Sequence, residues 1–169
     1  MALPAKPVRY YLKPGELFLG EEAAVVKTLL GSCVAVTMFS PRYHVGSVCH
    51  GVLPSCRNEH PCVGDCRDGP RYVDCAIRRM LEWFLTQGIA RDEIVVKVFG
   101  GSDMYSTPEG NERKGVGKQN IDMALKTLEQ EGLRLAASDV GGLRGRKVIF
   151  RIYSGEVFLK RLSSSEHKE

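Results

Sequence analysis

The sequence predicts an α/β fold: a mixed, largely antiparallel β-sandwich with two main helices packed on an outer face. Three observations lead there. Apolar residues recur at helical spacing in only two stretches, near 71–88 and 117–132. Roughly eight other runs are short and apolar, and most end at Gly, Pro or Ser. Several of these runs are joined by connections too short to hold a helix, which makes the neighbouring strands antiparallel. The regular strand–helix alternation of a doubly wound parallel sheet is missing.

Taken in order, residues 1–15 contain Pro4, Pro7 and Pro14 and are expected to be extended, turning at Pro14-Gly15. Residues 17–19 suit a short strand, and 23–30 a longer one that stops at Gly31-Ser32. Residues 34–39 form a β-branched, buried strand closed by Ser40-Pro41, and 44–53 the next, stopped by Pro54. The segment 55–70 is polar and aperiodic, so it reads as a loop. From Arg71 the pattern turns helical: Ile77, Met80, Leu81, Phe84 and Leu85 share one face, and Gly88 supplies the stop. Residues 94–99 are a strand cut by Gly100-Gly101, and 102–114 a polar loop. A second helix spans about 117–131, with Ile121, Ala124, Leu125 and Leu128 as its buried stripe. Residues 133–140 are a strand followed by a glycine-rich turn. A final hairpin pairs 148–153 with 156–162 across Ser154-Gly155.

The 169 residues suit one domain, with a frayed polar tail from about 163. A net charge of +4 does not imply nucleic acid, though it suits an acidic protein partner. No apolar run approaches the ~20 residues of a membrane span, so the protein is not expected to insert in a membrane. The N-terminus has no signal core, and a cytoplasmic location is expected. In that reducing compartment the six cysteines are thiols, metal ligands or nucleophiles rather than a disulfide framework.

One constellation carries chemistry. Gly31-Ser32 delivers Cys33 to the start of a strand, and His50 stands seventeen residues on. If the two strands pair, that offset brings imidazole beside thiol, the material of nucleophilic catalysis. Such a pairing favours thiolate and imidazolium at neutral pH. The Gly31-Ser32 turn can aim backbone N–H groups at a developing oxyanion. The ordinary alternative is a cysteine acting as a small buried hydrophobe.

A second constellation is Cys56, His60, Cys62 and Cys66 within eleven residues of loop. Four soft ligands could hold a structural zinc, with Cys75 or Cys49 as an alternative fourth ligand. Free surface thiols and a redox-sensing disulfide are the other readings. Gly115-Val116-Gly117-Lys118 lacks the length and the following Ser/Thr of a phosphate loop, so its glycines read as tight turns. Asn120 reads as a cap or turn residue. Arg144, Arg146 and Lys147 read as a solvated turn or a docking contact for an acidic partner.

Together these motifs resemble the CheD family, the chemoreceptor glutamine deamidases of bacterial chemotaxis. The resemblance rests on Leu30-Gly31-Ser32-Cys33-Val34-Ala35-Val36, then His50 with Leu53-Pro54. It continues through Lys97-Val98-Phe99-Gly100-Gly101 with Met104, and Gly115-Val116-Gly117-Lys118-Gln119-Asn120-Ile121. It ends with Asp139-Val140-Gly141-Gly142 and Gly145-Arg146. The resemblance implies an α/β sandwich related to bacterial toxin deamidases and hydrolysis of glutamine side-chain amides on methyl-accepting receptors. Cys33 would be the nucleophile, passing through a thioester, and His50 the base and later the acid. Receptor methyl esters would be substrates for the same acyl chemistry. No cofactor is required. A CheC-type phosphatase, which such proteins stimulate, is the implied second partner and the basis of a mainly adaptor role. The family pattern places a threonine six residues before the cysteine as third site member. Here Lys27 holds that position and Thr28 follows it, so Thr28 is the candidate.

Overall fold

A computed structural model of the chain describes residues 6–21, 23–56, 69–103 and 115–163. Among them the strands are β1 (Val8–Tyr11), β2 (Leu17–Gly20), β3 (Ala24–Leu30), β4 (Val34–Ser40), β5 (Val45–Gly51), β6 (Val95–Gly100), β7 (Leu135–Val140), β8 (Arg146–Arg151) and β9 (Val157–Arg161). Helix α1 (Val73–Thr86) lies between β5 and β6, and α2 (Val116–Gln130) between β6 and β7. The strands form a four-stranded sheet in the order β1-β3-β8-β9 and a five-stranded sheet in the order β2-β5-β4-β6-β7. Neighbours are antiparallel except β1–β3 and β6–β7. The predicted mixed, largely antiparallel sandwich with two helices on an outer face is the fold observed.

β4 and β5 are buried along their whole lengths because the five-stranded sheet is covered on both sides. Side chains alternate across a strand, so consecutive residues enter different cores. Val34, Val36 and Met38 join Ala76, Met80, Phe84 and Leu128 in the core beneath the helices. Ala35 and Phe39 join Val26, Val148 and Phe150 in the core between the sheets. Met38, Phe84 and Phe150 are fully enclosed. Each gains about 1.5–3 kcal/mol from leaving water, so each fastens one layer to the next.

The structure corrects several local expectations. β1 is a true strand, paired parallel with β3 although all four of its residues are exposed. Leu85 and Leu125 are exposed rather than buried, because each helix presents a narrower stripe than its spacing suggested. The last hairpin does not turn in two residues: β8 ends at Arg151, β9 starts at Val157, and Gly155 with φ +74° shapes the longer connection. Arg146 belongs to no solvated turn. It is buried and donates to Asp139 Oδ1 at 2.7 Å and to the Gly141 carbonyl at 2.8 Å. Arg161 completes this clamp, 2.7 Å from Asp139 Oδ2. The clamp ties the β7–β8 turn to the end of β6, and Gly141 N–H reinforces it by donating to Gly100 O at 2.9 Å.

Candidate active site

The hairpin register decides where the two sequence candidates meet. Val34 pairs with Gly51 and Ala35 with His50. The pairing ends there, with Cys33 and Val52 the next residues beyond it, and alternation puts Cys33 on the face that carries Ala35 and His50. Diagonal neighbours stay within reach of long side chains. Cys33 is half-buried and packs on the core between the sheets, whereas Cys49, beside His50 in sequence, points to the helix side. Alternation along β5 therefore gives His50 one cysteine neighbour and denies it the other.

His50 is held from several directions. Its backbone pairs with Ala35 on one side. On the other its N–H donates to Glu16 O at 3.0 Å, and its carbonyl accepts from Gly15 N–H at 2.9 Å. The ring meets the opposite sheet, where Ala24, Val26, Thr28 and Leu30 of β3 point inward. Thr28 Oγ1 lies 2.6 Å from His50 Nδ1 and donates its one proton to Leu12 O at 2.8 Å. A hydroxyl that spends its hydrogen on a carbonyl can only accept from the imidazole. Nδ1 therefore carries the ring hydrogen, and Nε2 keeps a lone pair for a proton acceptor's role. Lys27, at the position the family pattern emphasises, faces the outside of the sheet, so Thr28 is the side chain that reaches the ring.

Burial decides the charge state. Desolvation pulls His50 down to about 4, although Glu16 and the Leu12 carbonyl oppose the shift. Burial also raises the Cys33 thiol. Burial thus works against the resting thiolate–imidazolium pair expected from sequence and favours the neutral form of each group.

The turn carrying Cys33 is braced from behind. Gly31 O accepts from Ser102 N–H at 2.9 Å, and Cys33 O from Gly101 N–H at 2.8 Å. Ser32 O accepts from Asn120 Nδ2 at 3.0 Å, and the same nitrogen donates to Val52 O at 3.0 Å. Asn120 is fully buried in the second turn of α2, not a cap. Sequence reasoning missed its place. The available signal was its position on the buried stripe, one residue before Ile121. Gly100, with φ +102°, leaves no room for a Cβ against Cys33 O. Among the described residues the Cys33 N–H has no acceptor.

The proposed zinc set cannot be assembled from the described residues. His60, Cys62 and Cys66 lie outside them, and Cys56 is half-buried. Cys49 and Cys75 are buried. Among the described residues no group of three or more His, Cys, Asp or Glu side chains could hold a metal. No described helix is long and apolar enough to cross a membrane.

Residues 53–161 match the family described as CheD chemotactic sensory transduction. The chain belongs to the CheD family. Relatives align with nearly all of it. A protein of Geobacter sulfurreducens named "Probable chemoreceptor glutamine deamidase CheD 2" is 47% identical over 161 residues, covering 92% of this chain and 91% of its own. A CheD protein of Maridesulfovibrio salexigens with the same deamidase name is 42% identical, covering 91% of this chain and 92% of its own. One from Methanococcus vannielii is 32% identical, covering 89% and 93%. The motifs that first suggested CheD thus sit within an alignment spanning both sheets and both helices.

Proposed function

We propose that this CheD chain hydrolyses the side-chain amide of glutamines on chemoreceptors, as the names of its relatives describe for them, with Cys33 as nucleophile and His50 as proton carrier. The observation that supports the mechanism is the 2.6 Å contact between Thr28 Oγ1 and His50 Nδ1, which leaves Nε2 as the basic nitrogen, with Cys33 next to the paired residues on the same face of the sheet as His50.

Nε2 of His50 takes the thiol proton as the sulfur attacks the carboxamide carbon. Because burial favours the neutral form of both groups, deprotonation and attack belong to one step. The tetrahedral oxygen is met by the Cys33 N–H on the Gly31-Ser32 turn. The imidazolium then gives its proton to the nitrogen, ammonia leaves and a thioester remains. Water enters, His50 removes its proton, and the thioester collapses to glutamate with the thiol restored. A glutamyl methyl ester fits the same sequence, with methanol leaving. No step calls for a cofactor.

Mass spectrometry of receptor cytoplasmic fragments incubated with the protein tests this. Each converted glutamine gains about 1 Da as its amide becomes an acid through acyl transfer. Cys33→Ala abolishes the gain. Receptor fragments left unchanged by folded wild-type protein would falsify the deamidase reading.

A further inference from the structure

We propose that Asn120 is a positioning residue: its carboxamide is the strut that holds the Cys33 turn at a fixed place on the His50 strand and orients the Cys33 N–H. The proposal deepens the deamidase reading by naming what sets the nucleophile's geometry.

The β4–β5 ladder ends at Val34 and Gly51. Beyond it the strands part, because the N–H groups of Val52 and Leu53 both turn to Arg71 O, at 2.8 and 3.2 Å. Yet the next residues beyond it, Cys33 and Val52, are the ones that set the distance from sulfur to imidazole. Asn120 bridges that gap. One amide nitrogen donates to Ser32 O and to Val52 O, each at 3.0 Å. Its two hydrogens thus replace the missing rung with a link from a third element, α2.

The same bond orients the donor. A trans peptide holds its C=O and the following N–H on opposite sides of the chain. With Ser32 O drawn toward Asn120, the Cys33 N–H points away from α2. Ser102 and Gly101 hold the flanking carbonyls of Gly31 and Cys33, so the turn cannot roll to present a different edge.

The helix is built to deliver this residue. A Cβ on Gly117 would lie 2.5 Å from Ser102 O and 2.7 Å from Gly101 O. Only glycine lets the first turn of α2 press against the 100–102 segment, and Asn120 is one turn along on the same stripe. Its Oδ1 is buried and has no hydrogen-bond partner among the described residues. A side chain serving stability alone has no reason to carry that unmatched acceptor into the interior, whereas a donor aimed at two carbonyls beside the nucleophile does.

The test uses full-length protein and Asn120→Ala and Asn120→Asp. Cys33 alkylation by iodoacetamide is followed against pH in a background where the other cysteines are blocked or resolved by mass. Hydrolysis of receptor amides is measured alongside. If Asn120 positions the turn, kcat falls about 10- to 100-fold with KM little changed, the penalty typical of a misplaced reacting group. The pH midpoint of Cys33 alkylation moves as well, because the thiol has lost its fixed relation to His50. A lower melting temperature with unaltered alkylation profile and kcat overturns the proposal and leaves Asn120 purely structural. The alkylation profile is informative even if no receptor amide is hydrolysed, so failure of the deamidase reading and failure of this one are told apart. Should both variants fail to fold, wild-type NMR decides. Scalar couplings from the Asn120 side-chain nitrogen to the Ser32 and Val52 carbonyl carbons support the strut, and their absence refutes it.

Discussion

Thr28 Oγ1 and His50 Nδ1 lie 2.6 Å apart, one on each sheet, and this contact joins the two layers of the sandwich at the His50 imidazole. Because the hydroxyl proton goes to Leu12 O, the contact also selects the ring tautomer. Thr28→Val removes the acceptor while keeping the shape. We expect kcat to fall about 10- to 100-fold, the range for losing the orientation of a general base. Stability should drop by about 1–3 kcal/mol, since Leu12 O and Nδ1 both lose their partner in a buried place. Thr28→Ser should restore most of the rate. Nitrogen NMR on wild-type protein should show the hydrogen on Nδ1 at neutral pH, and a predominant Nε2–H form would contradict the assigned role of Thr28.

Cys33 just before β4 and Cys49 within β5 face different cores, and this gives them opposite chemistry. Cys49 is fully enclosed and its thiol is pushed up to about 12, mainly by desolvation. Cys33 is half-buried at the mouth of a turn. Iodoacetamide should therefore label Cys33 in the native protein and reach Cys49 only on unfolding, as peptide mapping after timed quenching will show. Cys49→Ala should leave the deamidation rate within about twofold and cost roughly 1 kcal/mol of stability as a small core truncation. Loss of activity in that variant would point to a role for the wrong face of β5.

Gly100 ends β6 directly behind the turn that carries Cys33. Its φ of +102° is open to glycine, and a Cβ there would collide with Cys33 O. Gly100→Ala must therefore either strain the backbone or push Cys33 out of register. A stability loss of about 1–3 kcal/mol is expected from strain and overpacking together. Activity should fall further than stability does, since the displaced atom belongs to Cys33, the proposed nucleophile. Denaturant melts and kcat on the same preparation separate the two effects.

Much of this was legible in the chain, for physical reasons that also explain what was not. β4 and β5 announce themselves because burial on both faces demands unbroken apolar runs, and Gly and Pro punctuate them. Alternation within β3 would have chosen Thr28 over Lys27: Ala24, Val26, Thr28 and Leu30 form one inward row. The partner of that row, in contrast, is a register between distant strands, and nothing local in 24–30 names β8 or His50. β1 left no pattern because all its residues are exposed and its stability comes from parallel pairing with β3. Arg146 looked like surface charge because its compensating carboxylate, Asp139, lies on another strand. Asn120 escaped because a single polar residue in an apolar stripe reads as a helix-start feature until the carbonyls it serves, at Ser32 and Val52, are seen in space.

The buried imidazole also couples stability to pH. His50 titrates near 4 in the folded protein, against 6.5 when exposed, chiefly because burial disfavours its charge. Between those values the unfolded chain binds a proton at this residue and the folded chain does not. Stability therefore rises with pH across this window and falls on acidification from 6.5 toward 4; below about 4 both states are protonated and His50 adds no further slope. The full span is worth at most about 3–4 kcal/mol at 1.36 kcal/mol per pH unit of difference. His50→Gln keeps a polar side chain but cannot titrate, so its stability should be flatter from pH 6.5 to 4 than that of the wild type. Urea melts at half-unit pH steps will show it. If the two proteins kept parallel profiles through that window, His50 would be protonated there in the folded state as it is in the unfolded one, and the depressed titration of the buried imidazole would be refuted.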